Sequence, residues 1–363
     1  MEGHAPRPAP GSPAALGYRH PAEWERHAAT WLAWPHNRRD WPGKFAPVQW
    51  VYAEIVRRLA PGDRVRILVQ DARHEALAAS QLRRAGARLE RVEFFQIETD
   101  RGWCRDMGPI FVVREQPAPR AAIADLHFNA WAKYANWRKD ARVAGELARR
   151  LGMPRLDVRT ADGRPFVLEG GAIDVNGAGV VLTTEECLLD PTTQVRNPGL
   201  TRDEVERALG DALAVRQVVW LGRGIAGDDT HGHVDDLCRF VNPTTIVLCQ
   251  EPDGADANHR PLAENRERLE GLRLAGGGKA EVIALPMPEP LWFDGLRLPA
   301  SYANFYIGNE VVLVPTFNDP RDREALGILG ECFPTRTVVG IHAVDLVWGL
   351  GTLHCLTHEE PAV

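Results

Sequence analysis

A strand, helix, strand pattern recurs five times along this chain, and this recurrence constrains the fold more than any other feature. Runs rich in β-branched residues and bounded by turn residues predict five buried strands, at residues 64–69, 109–113, 179–183, 245–249 and 311–315. A stretch with helical spacing follows each strand, at residues 71–85, 136–151, 201–209, 261–272 and 319–332. A second β-rich run completes each unit, at residues 91–97, 155–158, 216–221, 281–285 and 337–341.

The loop after each second strand carries reactive or charged side chains. These loops contain Asp106, Glu169, His233 with Asp235, the segment LPASYANFY, and Cys355. Asp106 and Glu169 are 63 residues apart, Glu169 and His233 are 64 apart, and His233 and Cys355 are 122 apart, or two steps of 61. A repeated unit places equivalent loops around a common axis. We therefore expect an α/β fold whose loops converge on one centre; a Rossmann-like open sheet predicts no such period, and no GxGxxG opens a helix.

The composition is that of an ordinary soluble protein, with 363 residues, 44% of them hydrophobic and 25% charged. No apolar run reaches the length of about 20 residues that a membrane helix needs. A net charge of -6 without a basic block argues against a nucleic-acid partner. Residues 1–17 are rich in Pro, Ala and Gly without an apolar signal core, so we expect a disordered tail, a single domain over residues 18–363, and a cytoplasmic protein.

Six cysteines lie far apart with no C-x-x-C pair, so neither a disulfide framework nor a zinc ribbon is expected, and we expect reduced thiols. Cys355 differs from the others because it follows a glycine-rich loop, GLGTLH, and because we predict no element after it. The other five are interpreted as small apolar residues of the core, although Cys104 is close enough to Asp106 to line the same site. They are Cys104, Cys187, Cys238, Cys249 and Cys332.

A thiol, a histidine and three carboxylates have a specific electrostatic requirement when they lie together. A free thiol has a pKa of about 8.5, so Cys355 needs a base or a lowered pKa to attack at neutral pH, and His233 is the candidate acid/base. Carboxylates repel a thiolate unless the substrate brings positive charge. A guanidinium ion meets this requirement, because it is planar, always charged and presents N–H pairs that match carboxylates. Asp106 and Asp235 would then clamp the guanidinium while Cys355 attacks its central carbon.

Longer motifs resemble those of one known family, in matching order from about residue 21 onwards. They are WCRDMGP, RPFVLEGGAIDVNGAG, LTTEECLL, GDDTHGHVDD, LPASYANFYIGNEVVLVP and LHCLTHEEP. These motifs are similar to those of the agmatine deiminase and bacterial peptidyl-arginine deiminase family of guanidine-modifying enzymes. The resemblance implies a five-bladed, pseudo-symmetric α/β propeller with a central active site. It also implies cysteine-dependent hydrolysis of a guanidino group to a ureido group and ammonia.

The resemblance assigns a role to each candidate residue. The implied site is Cys355 as nucleophile, His233 as general acid/base, Asp106 and Asp235 as guanidinium carboxylates, Glu169 as a third acid, and Trp103 as an aromatic wall. The implied reaction forms an S-alkylthiouronium intermediate on the cysteine and requires no metal or organic cofactor. Agmatine, giving N-carbamoylputrescine, is the expected substrate, and a homodimer is the expected assembly.

Two stretches depart from the usual pattern of that family. The family's cysteine commonly follows GGGNIH, whereas here Leu350 and Thr352 replace a glycine and an asparagine. The stretch FNAWAKYANW also lacks glycines that often follow FNAW. Because both stretches are expected near the mouth of the pocket, free arginine, peptidyl arginine or another alkylguanidine are alternative substrates.

Two alternatives come from other functional classes. His231, His233 and Asp235 have the HxHxD spacing that is typical of zinc hydrolases, which predicts a metallohydrolase. That alternative leaves Cys355 without a role. A non-catalytic guanidinium-binding protein is the other, although a binding cage needs only the carboxylates. Tryptophans near the start are expected in core or dimer contacts, namely Trp24, Trp31, Trp34, Trp41 and Trp50.

Overall fold

The computed structural model describes residues 8–363, which form eighteen strands and nine α-helices. In chain order the strands are β1 (His27–Ala33), β2 (Val65–Val69), β3 (Val92–Gln96), β4 (Ile110–Val113), β5 (Ala121–Asp125), β6 (Arg155–Asp157), β7 (Asp174–Val175), β8 (Val180–Thr184), β9 (Gln217–Leu221), β10 (Cys238–Phe240), β11 (Thr245–Gln250), β12 (Glu281–Pro286), β13 (Trp292–Phe293), β14 (Leu296–Arg297), β15 (Tyr306–Ile307), β16 (Val311–Thr316), β17 (Thr337–His342) and β18 (Thr357–Pro361). The α-helices are α1 (Phe45–Leu59), α2 (Ala72–Arg84), α3 (Cys104–Met107), α4 (Val143–Leu151), α5 (Glu185–Leu189), α6 (Arg202–Leu213), α7 (His259–Leu269), α8 (Asp322–Cys332) and α9 (Leu353–Leu356).

Within these residues, four three-stranded sheets share one connectivity. An outer strand pairs antiparallel with a central strand, and the central strand pairs parallel with a third strand that follows a helical crossover. The sheets are β4-β5-β6, β7-β8-β9, β10-β11-β12 and β15-β16-β17, and β13 and β14 form a separate hairpin. Central strands β8 and β11 are rich in aliphatic and threonine side chains, and every residue of the two strands except Gln250 is buried. The recurrence in the sequence therefore corresponds to repeated sheets.

A fifth sheet has the order β18-β1-β2-β3 and joins distant parts of the chain. β1, β2 and β3 are parallel, with α1 and α2 as crossovers, and β18 pairs antiparallel with β1, so that Thr357 lies opposite Leu32. The expectation that no element follows Cys355 is wrong, because β18 begins at Thr357. Its glutamates suggest an exposed segment, yet Glu360 is buried and accepts a hydrogen bond from Trp31 Nε1 at 2.9 Å. This polar strand lies at the edge of its sheet and is nevertheless buried, because its partners come from remote parts of the sequence.

The predicted elements agree with the structure in four of the five units and differ in the second. There the predicted strand at residues 109–113 corresponds to β4, which is the antiparallel outer strand of its sheet. The strand that precedes α4 is β5, Ala121–Asp125, which the sequence analysis missed. Its sequence AAIAD is rich in alanine and contains one β-branched residue, so it lacks the composition that is typical of strands. β1 and α1 were also missed, and they precede the first predicted unit.

Part of the predicted disordered tail is packed against α6. Residues 1–7 lie outside the described residues. In residues 8–17 the Ala9 amide donates to Asp211 Oδ1 at 2.7 Å, the Ala14 amide donates to the Asp211 carbonyl at 3.0 Å, and Ser12 is buried. This segment therefore differs from the prediction, because one buried aspartate on α6 fixes two of its backbone amides.

None of the helices found in residues 8–363 combines the length and the apolar character that crossing a bilayer requires.

Candidate active site

One loop from each of the five sheets contributes to a single buried cluster. Asp106 lies in α3 after β3, and Glu169 precedes a 3-10 turn after β6. His233 and Asp235 lie in the loop after β9, Asn304 lies between β14 and β15, and Cys355 lies in α9 after β17. The contacts described below connect these loops directly. The convergence that the regular spacing predicts is therefore observed.

The Cys355 thiol lies inside this cluster, with the residue only 6% exposed. Its Sγ accepts a hydrogen bond from Asn304 Nδ2 at 3.2 Å and lies 3.8 Å from Asp235 Oδ2. Burial, followed by the negative charges of Asp235, Asp236 and Asp106, raises the pKa of this thiol well above its usual value. The unliganded site therefore holds a neutral thiol, and a bound cation would favour its ionisation.

Asn304 organises the loop that carries Cys355. Its Oδ1 accepts hydrogen bonds from Thr352 Oγ1 at 2.7 Å and from the His354 amide at 3.0 Å, while its Nδ2 also donates to Asp236 Oδ1 at 3.0 Å. Thr352, which departs from the usual family motif, thus contributes a hydroxyl that helps to fix the thiol loop. Asn304 belongs to the LPASYANFY loop of the fourth unit, but no pattern in the sequence marks it as a site residue.

His233 lies among three carboxylates. Its Nε2 is 3.7 Å from Glu169 Oε2, and its Nδ1 is 3.9 Å from both Asp106 Oδ1 and Asp235 Oδ1. Burial favours the neutral ring, but the charge of Asp106 and contacts with Cys187 and Glu169 outweigh burial and raise the pKa of His233 well above its usual value. At neutral pH the ring is therefore an imidazolium that can donate a proton.

Cys187 is a buried core residue, as predicted, but it also borders the site. Its sulfur lies in one group with His233 and Glu169, whose potential ligand atoms are all within 4.8 Å of one another. The signal in the sequence was its place in LTTEECLL, a family motif to which no chemical role had been assigned. All six cysteines are free thiols, and burial raises the pKa of Cys104 to about 12.

Asp106 is a buried carboxylate fixed by two donors. The Gly171 amide donates to Oδ1 at 3.0 Å, and Trp131 Nε1 donates to Oδ2 at 2.9 Å. Burial raises the pKa of Asp106 to about 6; nearby Asp235 and Glu169 act in the same direction, whereas His233 opposes it. Gly171 permits this arrangement, since a Cβ at that position would lie 2.4 Å from His233 Nδ1.

Glu169 and Asp235 differ from Asp106 because each has a strong cationic or donor partner. Arg196 Nε donates to Glu169 Oε1 at 3.1 Å, and although burial opposes ionisation, Arg196 and His233 lower the pKa of Glu169 to about 2. Asp235 Oδ2 lies 2.7 Å from His354 Nδ1, and although burial opposes ionisation, this hydrogen bond together with nearby His233 and Arg239 lowers the pKa of Asp235. Arg196 and His354 were not predicted as site residues, although His354 lies in the motif LHCLTHEEP, because their carboxylate partners are 27 and 119 residues away and only the fold brings them together.

Polar atoms of the cluster remain unpaired although they are buried. Among the side-chain atoms of residues 8–363 without a hydrogen-bond partner are Glu169 Oε2, His233 Nε2 and Asp235 Oδ1. Buried polar atoms without partners are costly, and a ligand that supplies N–H donors would remove that cost. Two of the three atoms are carboxylate oxygens. The cluster is therefore suited to a cation with several N–H groups.

The Trp103 ring lies beside the thiol loop. A Cβ at Gly351 would lie 2.8 Å from the Trp103 ring and 3.2 Å from Cys355 Sγ, so only a glycine fits between them. Trp41 packs against Trp103 with ring centroids 5.3 Å apart. An aromatic surface therefore flanks the approach to Cys355.

The HxHxD set of the metallohydrolase alternative is not assembled. His231 Nε2 lies 2.9 Å from Asp190 Oδ2. In the described part of the chain, the side-chain groups with metal-binding geometry are Glu169 with Cys187 and His233, and Asp235 with Asp236 and Cys355, and neither contains His231. The spacing of the three residues in the sequence therefore does not correspond to a common site in the fold.

Comparison with known proteins agrees with this geometry. The family model of Porphyromonas-type peptidyl-arginine deiminases matches residues 19–361. The chain belongs to this family. The sequence of this peptidyl-arginine deiminase family member is 36% identical to that of the agmatine deiminase of Pseudomonas aeruginosa (strain LESB58), and the alignment covers 97% of each chain.

Solved structures resemble this peptidyl-arginine deiminase family member over nearly its whole length. The agmatine deiminase of Enterococcus faecalis is 30% identical with a TM-score of 0.87, covering 96% of this chain and 97% of that one. A cysteine-to-serine variant of the C. jejuni agmatine deiminase with substrate bound is 28% identical with a TM-score of 0.82, covering 94% and 96%. The mixed α/β fold is thus shared with these enzymes.

Proposed function

We propose that this protein is a cysteine-dependent agmatine deiminase, which converts agmatine and water to N-carbamoylputrescine and ammonia. The observation that carries the proposal is the buried contact of the Cys355 thiol with Asp235, in a cluster where one carboxylate oxygen of Asp235 and one of Glu169 have no hydrogen-bond partner. A guanidinium ion supplies both the missing donors and the missing positive charge. The names of the similar proteins support agmatine as the substrate.

In the first half of the proposed reaction, Asp106 and Asp235 bind the guanidinium and Cys355 attacks its central carbon. The substrate's charge offsets the three carboxylates that hold the thiol neutral, so the thiol proton leaves to solvent as the substrate binds. Thiolate addition to the cation gives a neutral tetrahedral adduct. The His233 imidazolium protonates one amino group, ammonia leaves, and an S-alkylthiouronium ion remains on Cys355.

In the second half, neutral His233 accepts a proton from water, and the resulting hydroxide attacks the thiouronium carbon. Collapse of this second adduct expels the Cys355 thiolate and forms the ureido product, whose surplus proton restores the thiol. Glu169, ionised beside Arg196, stabilises the imidazolium each time His233 is protonated. This sequence of steps uses only side chains of the chain and the two substrates.

The proposal includes the arrangement around this site. Five sheets with one loop each in the cluster support a five-bladed α/β propeller formed by residues 18–363 as a single domain.

The proposal also includes a homodimer. Of the N-terminal tryptophans, Trp31, Trp34 and Trp41 are buried in the core, whereas Trp50 is 47% exposed and is available for a subunit contact. Analytical ultracentrifugation of the wild type and of Trp50→Ala tests this assembly.

Ammonia release from agmatine, free arginine and a peptide with C-terminal arginine tests the function. We expect chelator-resistant release from agmatine, and a decrease in kcat on the order of 10⁴-fold or more in Cys355→Ala. Cys332→Ala is the matched control, because Cys332 is only half-buried and lies in α8 outside the cluster. Retained activity in Cys355→Ala, or release only from an arginine substrate, would contradict the mechanism or the substrate respectively.

A further inference from the structure

A buried chain of side chains connects Asp235 to the N-terminal part of the fold through His354. His354 directly precedes Cys355 and is 2% exposed. Its Nδ1 lies 2.7 Å from Asp235 Oδ2, and its Nε2 lies 2.7 Å from Glu23 Oε2. Each ring nitrogen thus faces a carboxylate, and the two carboxylates come from segments 119 and 331 residues away.

Glu23 is itself fixed by several donors. Its Oε1 accepts a hydrogen bond from the Ile307 amide at 2.7 Å, and its Oε2 accepts from Arg239 Nη2 at 2.9 Å and from Arg105 Nη2 at 3.3 Å. Burial opposes ionisation of this carboxyl, but Arg239, His354 and Arg105 hold its pKa well below the usual value. Glu23 is therefore an anion with a fixed position.

The hydrogen bonds determine what the imidazole of His354 contributes. Glu23 and Asp235 are both ionised, and an ionised carboxylate can only accept hydrogen bonds. Each ring nitrogen of His354 that carries a proton therefore donates to its carboxylate, Nδ1 to Asp235 Oδ2 and Nε2 to Glu23 Oε2. The hydrogen bond from Nδ1 occupies Oδ2 of Asp235 and fixes the rotation of that carboxylate. Its other oxygen, Oδ1, is left buried and without a partner.

We propose that His354 is a positioning residue of the guanidinium clamp: it holds Asp235 so that Oδ1 is free for the substrate, and Glu23 holds His354. This inference rests on the proposed function, because it deepens the same site. Glu23 thereby becomes a remote support of substrate binding, although it lies in a segment before β1. A purely structural role for His354 would instead require only that its two nitrogens be satisfied.

Asparagine and glutamine separate the two contacts of His354. The amide nitrogen of Asn can take the place of Nδ1, so His354→Asn keeps a donor to Asp235 and loses the one to Glu23. The amide nitrogen of Gln can take the place of Nε2, so His354→Gln keeps the donor to Glu23 and loses the one to Asp235. Each change is combined with Cys355→Ser, and the Kd of agmatine is measured by calorimetry without turnover. Thermal unfolding of each variant is recorded in parallel.

The proposal predicts unequal effects on binding. His354→Gln should raise the Kd of agmatine about 10- to 100-fold, the range expected for loss of a charge-assisted hydrogen bond. His354→Asn should raise it about tenfold less, even if both variants lose similar thermal stability. Equal increases in Kd would overturn the proposal.

A double-mutant cycle and the variant Glu23→Gln distinguish a loss of positioning from a loss of folding. In an Asp235→Asn background, His354→Gln should have no further effect on Kd, whereas additive effects would show that His354 acts elsewhere and would refute the proposal. Glu23→Gln retains the shape of the side chain but not its charge, and it should raise Kd about three- to tenfold; an unchanged Kd would contradict the role of Glu23. Absence of agmatine binding with His354 intact would refute the proposed function as well, whereas binding with equal effects refutes this inference alone.

Discussion

Replacement of Asp106 by asparagine should stabilise the unliganded protein while weakening substrate binding. Asp106 has a pKa of about 6 in the fold against an ordinary value of 3.8, mainly because burial disfavours its charge. At pH 7.5 that difference corresponds to a cost of about 3 kcal/mol in the free energy of unfolding, which a neutral side chain avoids. Asparagine offers one acceptor to two donors, Gly171 N and Trp131 Nε1, so about 1 to 2 kcal/mol is lost again. We therefore expect a net gain of about 1 to 2 kcal/mol.

The sign of the pH dependence follows from the direction of the shift. Because the folded state raises the pKa of Asp106, the full cost is present above pH 6 and diminishes as pH falls towards 3.8. The cost of the ionised carboxyl falls from about 3 to about 1.6 kcal/mol between pH 7.5 and pH 5, so the stability difference between Asp106→Asn and the wild type should decrease by about 1.4 kcal/mol and nearly disappear at pH 5. With the entropy of unfolding typical of a chain this long, the expected increase in Tm at pH 7.5 is about 1 to 3 °C.

Differential scanning calorimetry without ligand, and calorimetric titration of agmatine in a Cys355→Ser background, measure the two opposite effects. Binding should weaken about 30- to 100-fold, since one arm of the clamp becomes neutral. A lower Tm for Asp106→Asn at pH 7.5, or a Kd within about threefold of the parent, would refute the reasoning. Asp125→Asn is a control on a half-buried aspartate that is outside the cluster and paired with Arg155.

Two further predictions concern the loops. Asn304→Ala should lower kcat/KM for agmatine about 10- to 100-fold in a steady-state ammonia assay. The reason is that the Cys355 thiol and Thr352 both lose their common hydrogen-bond partner. Kinetics like those of the wild type would show that Asn304 has no role in the site. Ala132 is exposed and has a φ of 52°, which is a left-handed conformation. That conformation costs a residue with a Cβ about 1 to 2 kcal/mol. Ala132→Gly should therefore raise the free energy of unfolding, measured in urea, by up to about 1 kcal/mol. Ala135→Gly, at a neighbouring exposed position outside that conformation, should lower it instead, and equal effects would contradict the argument.

Much of the sheet pattern could be predicted because central strands such as Val311–Thr316 are continuous apolar runs. Such runs report burial on both faces, which is a local property of the sequence. The missed strand β18 has the opposite character. Its Glu359 and Glu360 are buried only because Arg105, Arg66 and Trp31 lie opposite them, and no local pattern contains those partners.

The site shows the same division between local and remote information. Asp106, Glu169, His233, Asp235 and Cys355 occupy equivalent loops, so their regular spacing was sufficient to bring them together. The supporting residues follow no such spacing. Arg196 is 27 residues from Glu169, Asn304 is 51 from Cys355, and Glu23 is 331 from His354. Each was missed because its role depends on a contact that only the folded chain creates.

The pairing of β1 with β18 also has a kinetic consequence. These strands are about 330 residues apart, so their contact requires closure of a very large loop and is expected late in folding. Cys355 lies directly before β18, and its α9 packs against that strand. During refolding from denaturant, deiminase activity should therefore appear after most of the helical circular dichroism signal has recovered, so that turnover reports closure of the fifth sheet.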